Sequence, residues 1–161
     1  MKHLLLIIPI STILLLSACA KPAPDIAAET AAVKAVLAHV LEAEQNEDSS
    51  LYDAVMSQET NMVNFGAGPD SRYVGLAEFK ASQEEKYSML EDVEVEAADQ
   101  VITIHESGTV AWFSEVLKYT AMIFGRDMDF ELRFTGVMVK QPDGKWVIIQ
   151  SHTSLPLQRN Q

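Results

Sequence analysis

The sequence predicts an α+β fold, a cone-like curved antiparallel sheet covered by three N-terminal helices, from three observations. Apolar residues at helical spacing are confined to the first half of the chain. Four long β-patterned runs, separated by turn residues, fill the second half. One of these runs, Asp127 to Lys140, alternates cleanly: Met128, Phe130, Leu132 and Phe134 share one face, while Asp127, Asp129, Glu131 and Arg133 share the other. A sheet with one apolar face must bury it, and helices that precede four consecutive strands supply the cover.

The elements follow in order. Asp25 is placed to cap a helix over Ile26 to Glu44, with Val33, Val36, Leu37, Val40 and Leu41 on its apolar stripe and Glu29 near the positive end of its dipole. Gln45 to Asp48 breaks that helix. A short second helix carries Leu51, Tyr52, Val55 and Met56. Asn61 to Phe65 alternates as a short strand, and Gly66 to Ser71 reads as a loop. A third helix follows Gly75, with Leu76, Phe79, Gln83 and Tyr87 on one stripe. Then come strands Val93 to Glu106, Val110 to Phe124, Asp127 to Lys140 and Trp146 to Thr153. Ser107-Gly108, Gly125-Arg126 and Pro142-Asp143-Gly144 turn the chain between them. An irregularity is expected at Ala97-Ala98-Asp99 and a bend at Gly136, because long strands coil.

Length and charge bound the rest. The chain has 161 residues, with Lys+Arg 12 against Asp+Glu 23 and a formal net charge of −11. That length fits one domain plus a targeting segment. The acidic balance argues against nucleic acid as a partner. A single cysteine excludes a disulfide framework and a thiolate-rich zinc site. No metal or cofactor is expected, since HExxH, GxSxG, phosphate-loop and dinucleotide patterns are all missing.

The N-terminus carries an address. The apolar run from Leu4 to Leu16 is shorter than the about 20 residues that span a bilayer. It ends in Leu16-Ser17-Ala18-Cys19, which resembles the lipobox of bacterial lipoproteins. The resemblance implies a signal peptide over residues 1–18, lipidation at Cys19, and a bacterial-envelope protein held to the membrane by that anchor. Residues 19–25 form a Pro-containing tether, 26–157 the folded domain and 158–161 a tail. Ala20 rather than Asp after the cysteine favours the periplasmic face of the outer membrane if the host has two membranes.

Three stretches carry a second resemblance. Gly108-Thr109-Val110-Ala111-Trp112-Phe113, Arg133-Phe134-Thr135-Gly136-Val137-Met138 and the closing run from Asp143 to Ser154 are similar to the strands of SnoaL-like domains in the nuclear-transport-factor-2-like superfamily. This implies a cone-shaped pocket and a homodimer formed through the outer sheet faces. It does not choose a reaction, because the superfamily includes isomerases, dehydratases, cyclases and association domains.

The expected ligand-binding pocket is apolar. Tyr52, Phe65 and Phe79 of the covering elements and Phe134 of the sheet are candidates for its wall. Trp112 and Ser114 join them by alternation with Val116, although the opposite face of their strand is also apolar. The resemblance carries His152 over as the histidine of the closing strand, a candidate acid or base; a hydrogen-bonded core histidine is the other reading. Glu115 is either a buried carboxylate that could serve as a base or an outward residue at a dimer rim. Two functions lead, with a purely structural dimer, its cone filled, as a third. One is a non-catalytic module that binds a small apolar ligand or assembles. The other is an isomerase- or cyclase-type enzyme using His152 and Glu115 as catalytic pair.

Overall fold

The computed structural model describes residues 23–156. The expected signal peptide, Cys19 as expected lipidation site and the expected 158–161 tail therefore lie outside the described residues. Helix α1, Ile26–Gln45, starts where the Asp25 side chain accepts the Ala28 N–H at 3.1 Å. It buries Val33, Leu37, Val40, Ala43 and Glu44, so an acid closes the stripe that the aliphatic residues begin. The expected second helix is a 3-10 turn, Ser49–Ala54, capped by Asp48. Tyr52 and Val55 are buried three residues apart, and the Val55 N–H donates to the Tyr52 carbonyl, which is the 3-10 repeat.

Helix α2, Leu76–Tyr87, begins at Gly75, whose φ of 79° suits glycine alone without strain. No side chain caps it in the usual way; instead Glu78 reaches back to accept the Val74 N–H at 2.8 Å. Phe79 and Tyr87 face inward.

Six strands form one sheet: β1 (Val63–Phe65), β2 (Arg72–Val74), β3 (Leu90–Ile104), β4 (Val110–Ile123), β5 (Arg126–Lys140) and β6 (Trp146–Ser154). Their order is β2-β1-β6-β5-β4-β3. The four long strands form the expected antiparallel meander. The sheet as a whole is mixed, because β1 runs parallel to β6. Strand β2 lies in the stretch expected to follow the loop directly into α2, and it pairs with β1.

Curvature comes from identifiable irregularities. The β3–β4 register slips between Glu91 and Glu94 and again between Ala98 and Val101, the second at the expected place. Each slip contains an aspartate with positive φ, Asp92 at 53° and Asp99 at 51°. An extra residue held in that conformation bends its strand and adds twist. A third slip lies between Val137 and Met138, beside Gly136. A β-carbon on Gly136 would sit 2.6 Å from the Gln150 carbonyl oxygen and 2.8 Å from the Phe113 ring. Only glycine permits that approach of β6 and Phe113 to β5.

Cross-strand partners share a face, so the β4–β5 register decides which side of β4 is inside. Glu115 pairs with Phe134, Leu117 with Leu132 and Tyr119 with Phe130. The odd-numbered residues of β4 therefore join the apolar face of β5 under α1. Trp112 and Ser114, expected inside, face the other way; Trp112 is 47% exposed. Both faces of β4 carry apolar residues, and pairing rather than composition breaks the tie. Met128 continues the apolar face of β5 but lies beyond its cover and is exposed, whereas Phe134 is buried.

Candidate functional site

Helix α1 covers the inner sheet face as far as Glu44, where the chain turns into the 3-10 segment. Beyond that point a cavity of about 370 Å³ remains between the sheet, the 3-10 turn and α2. Met56, Phe79, Leu117 and Phe134 supply apolar wall, and Ala67, Ser71 and Met89 belong to its outer lining.

One end of the cavity is polar. Glu44 is buried among the apolar residues of α1. Its Oε1 accepts a hydrogen bond from the Tyr52 hydroxyl, and its Oε2 pairs with Lys86 Nζ at 2.5 Å. The Tyr87 hydroxyl lies 3.1 Å from that of Tyr52, and the Lys86 ammonium sits 4.7 Å from the Tyr87 ring centroid. Burial, then the charge of Glu44, pushes the Tyr52 and Tyr87 phenols well above the usual tyrosine range; the same two causes act on Tyr119. All three phenols therefore keep their protons at neutral pH. Across the cavity, Asn64 donates to Ser151, and both residues are buried.

Tyr52, Phe79 and Phe134 line this cavity, but the other expected wall residues do not. Phe65 is 40% exposed, and Trp112 and Ser114 lie on the opposite sheet face. His152 is also exposed, with its ring edge-on to Phe65 at 6.1 Å between centroids. Alternation explains this placement: Ser151 and Thr153 on either side of His152 line the cavity, so His152 points away. Neither reading of this histidine, pocket acid–base group or hydrogen-bonded core residue, fits an exposed ring.

Glu115 is buried at 3% exposure and is not a rim residue. Its Oε2 accepts from Gln100 Nε2 at 2.6 Å, while Oε1 has no partner. Burial raises its pKa, opposed by the Gln100 hydrogen bond. It shares the inner face with Phe134 but does not line the cavity, and His152 is on the opposite face, so Glu115 and His152 do not converge.

The buried acid at the cavity is Glu44, which the sequence did not single out. Its signal was present: Glu44 continues the Val33, Leu37, Val40 stripe at helical spacing, where a carboxylate is costly unless partnered. Among the described residues, no group of three or more His, Cys, Asp or Glu converges to hold a metal ion. No described helix is long and apolar enough to cross a membrane.

Residues 33–158 match the SnoaL-like domain family. The chain belongs to this family. The solved structures agree on the fold. A nuclear-transport-factor-2-like superfamily protein from Salmonella enterica serovar Typhimurium superposes with a TM-score of 0.75 at 15% identity, covering 83% of this chain and 95% of that one. A candidate dehydratase of the same superfamily from Streptomyces avermitilis gives 0.71 at 15% identity, covering 82% and 99%. A candidate ketosteroid isomerase from Shewanella frigidimarina gives 0.63 at 20% identity, covering 76% and 94%. No curated protein matches the chain. The SnoaL-like domain therefore has relatives described as dehydratases and isomerases, and likeness at this identity extends to architecture alone.

Proposed function

We propose that this protein is a lipid-anchored envelope protein whose SnoaL-like domain is a non-catalytic small-molecule-binding module. One observation carries the binding reading. The cavity joins an apolar wall to one polar end, and both oxygens of its buried acid are already engaged, one by Tyr52 and one by Lys86. A carboxylate whose two oxygens are both engaged by the protein's own donors fixes the polar end of the cavity and can orient a ligand there. The enzyme reading with a pocket histidine loses its support, because His152 and Glu115 open onto no common space.

The anchor reading fits the chain's path. Residues 19–25 lead into the Asp25 end of α1, and the cavity adjoins the Glu44 end, about 30 Å of helix away. Val101 and Trp112, exposed on long strands, support a homodimer through the outer sheet face.

Native mass spectrometry of the protein purified from its own host tests the binding reading. A retained small molecule that is lost on Phe134→Asp, which puts a carboxylate without a partner into the apolar wall, is the expected result. Ligand-free protein throughout, or a molecule retained equally by the variant, would count against it. For the anchor, Cys19→Ala is expected to release the protein from membranes; undiminished retention would refute lipidation.

A further inference from the structure

We propose that the cavity takes an amphipathic amine, whose ammonium replaces that of Lys86 between the Glu44 carboxylate and the Tyr87 ring. The inference rests on the small-molecule-binding reading and names its ligand class.

The cation site is already built and occupied from within. Glu44 borders the cavity with Tyr52 fixing one oxygen and Lys86 pairing with the other, and the Tyr119 hydroxyl also faces this carboxylate. Lys86 comes from the last turn of α2, and its side chain remains 34% exposed. Its ammonium touches an acid on one side and an aromatic face on the other. A lysine side chain is an alkylammonium, so the chain itself displays the chemistry this site accepts. Because Lys86 is long, flexible and already partly in water, swinging outward costs it little solvation. Glu44 has no such freedom. A ligand ammonium inherits both contacts of Lys86, and its apolar body gains the wall of Phe79, Leu117 and Phe134 that the lysine leaves uncovered.

The other ligand charges fit less well. The charged residues at the cavity are Glu44, Glu85 and Lys86, so a carboxylate entering here meets more negative than positive charge. The chain's net charge of −11 acts in the same direction. A neutral alcohol leaves Lys86 in place and gains nothing from Glu44.

Hexylammonium, hexanol and hexanoate, titrated at neutral pH into the full chain by ligand-observed NMR, provide the test. In Lys86→Ala, hexylammonium is expected to bind about tenfold more tightly than hexanol, with hexanoate weakest. The same order is expected in the unmodified chain at lower affinity, since Lys86 competes there. The preference for ammonium is expected to vanish in the double variant Lys86→Ala/Glu44→Gln. Hexanol or hexanoate matching hexylammonium overturns the inference but leaves the binding reading standing, as does an ammonium preference that survives Glu44→Gln. Binding of none of the three probes overturns both. The order in the unmodified chain decides the question even where Lys86→Ala fails to fold.

Discussion

The two ends of α1 carry the same chemistry with different consequences. At the first turn, Glu29 accepts from Lys140 Nζ at 2.5 Å and from the Trp146 indole N–H at 2.9 Å. In the last turn, Glu44 accepts from Lys86 and the Tyr52 hydroxyl. Each acid thus has one ammonium and one aromatic donor. At the Glu29 end the donors sit at the end of β5 and the start of β6, Trp146 is buried, and the group fastens helix to sheet. At the Glu44 end the lysine stands at the rim of a cavity. What separates a clasp from a binding site here is the empty space beside it and a partner free to leave, not the identity of the polar groups.

Five measurements sharpen or break this contrast. The largest expected effect is Glu44→Ala, at about 3 kcal/mol of lost stability in urea unfolding, because the Tyr52 hydroxyl stays buried without its acceptor while the ion pair is broken. Glu29→Ala is expected to cost about 1 kcal/mol, since the Glu29 carboxylate is less deeply buried than that of Glu44 and Lys140 can regain water. Equal losses would erase the distinction between the two ends.

Glu115 supplies the third measurement, as a buried acid that lacks the partners of the other two. Its raised pKa means that the native state holds the proton more tightly than the unfolded chain, so Glu115 costs stability as pH rises above the ordinary carboxylate range. Glu115→Gln is expected to stabilise the fold by about 1 kcal/mol near pH 8, with the gain shrinking towards pH 4. Glu29 has the opposite sign. Lys140, then Trp146, lowers its pKa, so its contribution is present above the ordinary carboxylate range and is lost as pH falls through its lowered value. Glu29→Gln is therefore expected to flatten the acid limb of the stability profile, and an unchanged limb would show that the clasp is energetically silent. The smallest effect is expected at the exposed His152: His152→Ala should change stability by no more than about 0.5 kcal/mol and leave probe binding unaltered.

Much of the fold was legible along the chain. The α1 stripe, the cap at Asp25, the hairpin turns and the irregularity near Asp99 all depend on neighbours a few residues apart. The sheet-facing half of the site was legible only where one face was unambiguous, as with Phe134 on β5. It failed on β4, where Trp112 and Phe113 are equally apolar and the inward choice belongs to the Glu115–Phe134 register. It failed at His152 because resemblance supplies a residue type and strand parity supplies its direction. The 3-10 turn replaced a helix because Tyr52 and Val55 repeat at three residues, a spacing that fits a helical stripe as well.

Periodicity is a local property, so the chain on its own settled the order of the long elements, the greasy face of the longest alternating strand and the fold family. Convergence is not local. Glu44, Tyr52 and Lys86 meet only because α1 ends where α2 returns across the sheet, and the gap left between them depends on how far three bulges curl the strands. Packing across those distances, which no short-range pattern encodes, turned a charged residue on an apolar stripe into the polar end of a cavity.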